Sequence, residues 1–195
     1  MLEAQVSFAI VAHHQREAAA RALAYRLGQN ARVITDPGSH GATWNHRRAI
    51  EWAAERVGRV IVIEDDAVLL PKLLSDAEQW FSRFPDHLIS FYLGTGCPAQ
   101  YQLNVAVKLI EADSVRNDHI ILPRLIHGVC YSIPPAQIDN VLRRWNPAKP
   151  ADYAVGDAYG GDVIYPVYSL VDHADGNSVD HGQCRQRRKA WRLNV

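Results

Sequence analysis

Apolar and polar positions fall into blocks along the first half of the chain, and the period of each block names an element. "QVSFAIVA" (5–12) is apolar and β-branched over the length of a strand. The following "HHQREAAARALAYRLG" places Ala20, Leu23, Ala24 and Leu27 at helical spacing, with Gly28 as the stop. "ARVIT" (31–35) predicts a second strand, closed by the turn sequence "DPGSHG". Thr43 is placed to cap a helix through "WNHRRAIEWAAERVG" that would bury Ile50, Ala53 and Val57. "VIVI" (60–63) reads as a third strand buried on both faces. Pro71 then opens a helix whose Leu73, Leu74, Ala77, Trp80, Phe81 and Phe84 form a wide apolar stripe.

This β-α-β-α-β-α order with short connections predicts a single α/β domain, with a mostly parallel, Rossmann-like central sheet flanked by helices. In such sheets ligands bind beyond the carboxyl ends of the strands. The second half is less regular. "LISFYLGTG" (88–96) predicts a fourth strand, "VAVKLI" (105–110) and "HIILP" (119–123) a β excursion, and "HGVCYSIP" (127–134) another strand. "PAQIDNVLRRW" predicts a helix with Ile138, Val141, Leu142 and Trp145 on one side. Residues 150–173 then predict a short helix, a strand and a polar end that extend the same sheet.

Composition adds constraints rather than a function. The 195 residues are 48% hydrophobic and 22% charged, an ordinary globular balance, and 21 basic residues match 21 acidic ones. That balance points to no polyionic partner for the whole chain. The C-terminus is locally basic, with Arg185, Arg187, Arg188, Lys189 and Arg192, either as a solvated tail or as a contact for phosphates. Cys97, Cys130 and Cys184 form no C-x-x-C pair and no zinc spacing, which predicts free thiols in a reducing compartment. With no signal-like leader and no apolar run of membrane-spanning length, the expectation is a soluble, cytoplasmic protein.

The candidate chemistry starts where the third strand ends, in Glu64, Asp65 and Asp66. Two like charges about 4 Å apart repel by about 4 kcal/mol at an effective dielectric near 20. Such a trio must protonate, splay into solvent or bind a cation. Oxygen ligands at a strand end suit Mg²⁺ or Mn²⁺, which leave coordination positions open for a diphosphate. His173 follows a strand-like run and, where that strand ends near the trio, can complete a carboxylate–imidazole site, with His181 as the weaker alternative. Asp152, beside Pro150 at a helix start, reads either as a cap or as a general base, and Asp157 five residues on is a second candidate for that base. Around the strand ends, His13, Arg16, Asp36, Asn45 and Arg47 are the types that hold a nucleotide's base, ribose and phosphates.

In "SFAIVAHHQRE", "GATWNHRRAIEWA", "VIVIEDDAVLLP", "HGVCYSIPPAQIDNVL" and the 151–179 segment, the chain resembles the GT-A glycosyltransferases, particularly small bacterial and phage-like members and the lipooligosaccharide-type family 25. The pieces span nearly the whole chain in the family's order. The resemblance implies a nucleotide-sugar donor, usually a UDP-sugar, with Mn²⁺ or Mg²⁺ on its phosphates. Residues 1–95 would form the nucleotide-sugar half, 96–183 the acceptor half and 184–195 a basic segment. Asp66 and His173 would ligate the metal, and Glu64 and Asp65 would contact ribose, sugar or metal waters. Asp152 would be the base of an inverting transfer. The signature reads E-D-D rather than D-x-D, which leaves open whether Glu64 or Asp65 faces the donor. The acceptor would be a saccharide or a hydroxymethylated base in phage-type DNA.

Two rival readings fit the acidic strand end. One is a Mg²⁺-dependent nucleotidyl- or phosphoryl-transfer enzyme, although no G-x-x-x-x-G-K-[ST] loop is present. The other is a nucleotide-binding module without turnover.

Overall fold

The computed structural model describes residues 6–174 and 188–194. In chain order these form β1 (Ser7–His13), α1 (Glu17–Leu27), β2 (Ala31–Asp36), α2 (Ala42–Ala54), β3 (Val60–Glu64), β4 (Ala67–Leu69), α3 (Leu73–Arg83), β5 (Leu88–Ser90), α4 (Ala99–Ser114), β6 (His119–Leu122), β7 (Cys130–Ser132), α5 (Ile138–Arg143), α6 (Ala151–Tyr159), β8 (Val163–Pro166) and β9 (Val171–His173).

A seven-stranded sheet runs β2-β1-β3-β7-β5-β8-β6, and β4 pairs with β9 in a separate two-stranded ribbon. β1, β2, β3, β5 and β8 point one way, while β6 and β7 run against them. The result is a mixed α/β architecture with a mostly parallel central sheet, compatible with a Rossmann-like fold.

Period-2 alternation on β3 sorts its side chains to two cores. Val60 and Val62 face a core shared with Ala49, Ile50, Val105, Leu109, Val141 and Val155. Ile61 and Ile63 face another, shared with Ala20, Leu23, Leu73, Ala77 and Trp80. Both faces being covered is why the strand is apolar throughout, and why its first polar residue marks the edge of the sheet.

Several sequence expectations change. "VAVKLI" is not a strand but the middle of α4, which buries Val105, Leu109 and Ala112 at helical spacing. Its β-branched residues suggested a strand, and packing against the sheet overrode that weak preference. The strand expected over 88–96 stops at Ser90. Val57 is 87% exposed, because α2 ends at Ala54. Thr43 does not cap α2. Gly41 holds the N-cap position at φ 81°, and the Thr43 hydroxyl donates to the Lys149 carbonyl at 2.8 Å. Pro71 lies in the turn before α3 rather than in its first turn. Among the described residues, no helix is long and apolar enough to cross a membrane.

Candidate metal and ligand site

β3 ends at Glu64, and Asp65 and Asp66 form the turn that follows it. One guanidinium nitrogen of Arg16 bonds both turn carboxylates. Asp65 is 6% exposed; its Oδ2 accepts the His13 backbone N–H at 2.9 Å and its Oδ1 accepts from Arg16 at 3.1 Å. Burial nonetheless pushes the Asp65 carboxyl above the usual carboxylate range. Glu64 is bonded to His46 Nε2 at 3.3 Å. Burial acts to raise its carboxyl as well, but the His46 bond and charge outweigh this, and the net direction is down. Asp66 Oδ2 accepts from Arg16 and lies 3.4 Å from His173 Nε2.

His173 reaches this point through tertiary pairing. β4 and β9 run antiparallel with Ala67 opposite His173, so the imidazole comes to rest beside Asp66 across 107 residues of chain. The ring is 3% exposed. Its Nδ1 is 2.7 Å from the Ala174 carbonyl oxygen, which can only accept, so Nδ1 carries the proton and Nε2 the lone pair. Metal-binding histidines are oriented in this way. His173 Nε2 and Asp66 Oδ1 are both buried without a hydrogen-bond partner. One ligand atom each from Glu64, Asp66 and His173 falls within a mutual 4.8 Å. Adjacent ligands about 2.1 Å from an octahedral cation lie about 3 Å apart and opposite ones about 4 Å. The residues therefore fit a divalent cation, and two orphaned atoms face its position.

Glu64 and His173 open onto a cavity of about 460 Å³ that Tyr92, His127, Asp152 and Arg188 also line. Asp152 stands in the first turn of α6, where its Oδ1 accepts the Tyr153 N–H at 2.8 Å. Pro150, not Asp152, holds the N-cap position of α6, and Asp152 is placed on the cavity wall. Arg188, read from sequence as part of a basic tail, also reaches the cavity. Lys189 instead donates to the His173 carbonyl at 2.7 Å, and Arg192 forks onto Asp113 at 2.6 and 2.7 Å. His181, Arg185, Arg187 and Cys184 lie outside the described residues.

The remaining nucleotide candidates do not converge on this cavity. Arg16 is engaged by Asp65 and Asp66, and His13 by the Gln15 N–H at 3.3 Å. The Asp36 carboxylate accepts the N–H groups of Gly38, His40 and Gly41 at 2.8–3.3 Å, shaping the loop ahead of α2. Burial opposes its charge, yet these bonds hold its carboxyl below the usual range. Asn45 is buried and donates to the Ala12 carbonyl at 2.9 Å, and Arg47 pairs along its own helix with Glu51 at 3.0 Å. Asp157 is clasped by Arg124 and Lys149 and does not line the cavity. Against the effect of burial, those two cations keep its carboxyl below the usual range. It is a structural anchor of α6, and of the two carboxylates only Asp152 lines the cavity.

Sequence reasoning missed four residues. His46, 1% exposed, bridges Glu64 to the Tyr131 hydroxyl, which lies 3.0 Å from its Nδ1. Because the carboxylate can only accept, Nε2 donates to Glu64, and Nδ1 pairs with the Tyr131 hydroxyl. Gly128 leaves room for this chain: a Cβ there would lie 2.8 Å from Glu64 Oε1 and 3.2 Å from His46 Cε1. Gly128→Ala is therefore expected to preserve the fold, since a side-chain end can shift, while weakening Mn²⁺ binding about tenfold by turning Glu64 aside. Titration of both proteins with Mn²⁺ checks this. His127 is the fourth. Only its place beside Gly128 hinted at a role, because a single histidine carries no periodic signal.

Burial pushes the His127 imidazole down to about 4. Between that value and about 6.5, the unfolded chain binds a proton that the folded one refuses, so stability rises with pH through this window. On acidification the group removes up to about 3 kcal/mol, most of it by pH 4. Urea midpoints measured against pH should fall less steeply for His127→Gln.

Scans of the chain against protein-family models and against curated proteins return no match.

Proposed function

We propose that this chain is a metal-dependent glycosyltransferase of GT-A type, moving a sugar from a nucleotide-sugar to an acceptor hydroxyl. The observation that carries the reading is the pair of buried, partnerless atoms on Asp66 and His173, set with Glu64 at the carboxyl end of β3 beside the cavity. Glu64, Asp66 and His173 would hold the cation, and the imidazole among them favours Mn²⁺ over Mg²⁺. A cation so held neutralises charge on a departing nucleoside diphosphate. Arg188 adds positive charge to the same cavity for the phosphates. Asp152 takes the acceptor's proton as its oxygen bonds to the anomeric carbon and the bond to the diphosphate breaks, which inverts the centre.

A saccharide is the acceptor that the described surface favours. Lys189 and Arg192, two of the basic residues a DNA acceptor would need, are engaged by Asp172 and Asp113.

Thermal unfolding with UDP, GDP, CDP and ADP and with the matching triphosphates, each with Mn²⁺, Mg²⁺ or EDTA, tests the reading. A nucleotide at a hundredfold excess over its Kd adds about 2.7 kcal/mol, which is about 5–10 °C for a domain of this size. A rise that needs both one nucleotide and the cation is expected. No rise with any pair would sink the proposal, and a rise only with triphosphates would favour nucleotidyl transfer.

A further inference from the structure

The cavity carries two polar atoms that metal and diphosphate do not use. Tyr92, just beyond β5, is 2% exposed, and its hydroxyl has no partner. His127, just ahead of β7, is 8% exposed, and its Nε2 has none. Because β7 runs against β3 and β5, the entry to β7 and the exits of the other two lie at the same edge of the sheet. The two rings meet edge to face with centroids 5.2 Å apart, and Tyr92 also lies 6.3 Å from the His173 ring.

Gly94 sets up both groups. Its carbonyl lies against the His127 ring and favours a proton there. With Nε2 partnerless, that proton belongs on Nδ1, which leaves Nε2 as a lone-pair acceptor. The missing side chain of Gly94 makes room for Tyr92, whose hydroxyl would lie 2.6 Å from a Cβ placed there. The cavity wall thus offers one acceptor and one donor, both stripped of water and both unsatisfied.

The chemistry of the wall selects the ligand. Glu64 and Asp152 line the same cavity and disfavour an anion against His127. His127 is not among the three residues whose ligand atoms cluster, Glu64, Asp66 and His173, so the cation does not call on it. A hydroxyl both donates and accepts, and neighbouring hydroxyls satisfy both groups at once. We propose that His127 and Tyr92 form a hydroxyl-reading subsite for the sugar being transferred, with His127 Nε2 accepting from one hydroxyl and the Tyr92 hydroxyl donating to its neighbour. The inference rests on the glycosyl-transfer reading and adds to it the residues that choose the sugar. Polar groups built to bond a substrate hydroxyl discriminate strongly, because an analogue lacking it leaves them unpaired.

The test uses calorimetry on the full chain with Mn²⁺. It takes whichever of UDP, GDP, CDP and ADP binds, then that nucleotide's glucose, galactose and N-acetylglucosamine conjugates. Tyr92→Phe removes only a hydroxyl without a partner, so it folds as the parent does, and His127→Phe is the second variant. Each is expected to weaken the best conjugate about tenfold while leaving the nucleoside diphosphate within about twofold. The conjugate deoxygenated at the contacted position should lose a similar factor against the parent and nothing further against the variant. If the diphosphate binds and both variants hold the conjugate as tightly as the parent, the two groups take no part in sugar binding and the subsite is refuted. If no diphosphate binds the parent with Mn²⁺, the glycosyl-transfer reading fails and takes this inference with it.

Discussion

Asp66→Ala is expected to abolish the Mn²⁺-dependent rise in unfolding temperature with nucleotide and to lower turnover of the donor by about a hundredfold or more. Loss of a group that merely orients a metal ligand costs about 10- to 100-fold in affinity or activity, and Asp66 would be a ligand itself. Its Oδ2 lies 3.4 Å from His173 Nε2, and its Oδ1 is buried without a partner. The cation-free protein should tolerate the change, because the substitution relieves that orphaned oxygen and leaves Arg16 bonded to Asp65 at 3.1 Å. The signature is therefore selective: apo stability within about 1 kcal/mol of the parent, and no added stability from nucleotide with Mn²⁺. Calorimetric titration and melting curves in EDTA measure the two halves separately. Retained Mn²⁺-dependent binding in the variant would move the cation away from Asp66.

The largest loss of stability is expected at Arg59, far from the cavity. This guanidinium is 8% exposed and donates to the carbonyls of Ser132, Phe84, Pro85 and His87 at 3.3, 2.9, 2.7 and 3.0 Å. It joins the start of β3 to β7 and to the loop between α3 and β5, and it stacks 4.9 Å over the Phe81 ring. Burial pulls its pKa down to about 10, so the cation persists at neutral pH, hydrogen-bonded to carbonyl dipoles. Arg59→Met keeps much of the apolar stem and removes a donor from four carbonyls at once, of which that of Phe84 keeps the His87 N–H at 3.3 Å. A loss of about 3–5 kcal/mol follows, or about 6–20 °C in Tm for a domain of this length. Arg59→Lys should recover only part, since one ammonium cannot satisfy four diverging carbonyls. A variant within about 1 kcal/mol of the parent would show that water replaces the fork without penalty.

The alternation of blocks in residues 5–84 determined a good deal by itself. β1, α1, β2, α2, β3 and α3 all occur where period and turn residues place them, because each buries one face or stripe against a common sheet. The end of β3 was legible for the same reason: four apolar residues buried on both faces cannot run into three carboxylates without reaching an edge. Asp66 and Glu64 as a candidate cation site follow from that edge alone. The weaker half was misread where packing overrode preference. "VAVKLI" carries β-forming residues, yet Val105 and Leu109 sit four apart on a helix because the sheet face they cover is the larger apolar surface.

What the sequence could not decide is everything that depends on residues far apart in the chain. Asp152 and Asp157 look alike in sequence. Only the fold brings Arg124 and Lys149 onto Asp157 and leaves Asp152 on the cavity wall. His46 and Tyr131 become a relay to Glu64 only because β7 pairs with β3. His173 meets Asp66 through the β4–β9 ribbon, and the carbonyl of Ala174 then fixes which ring nitrogen faces the site. Periodicity reports which face of an element is buried, since burial acts on each element separately. A site is a meeting of single side chains from several elements, and that meeting is decided by strand order and register, which local pattern does not encode.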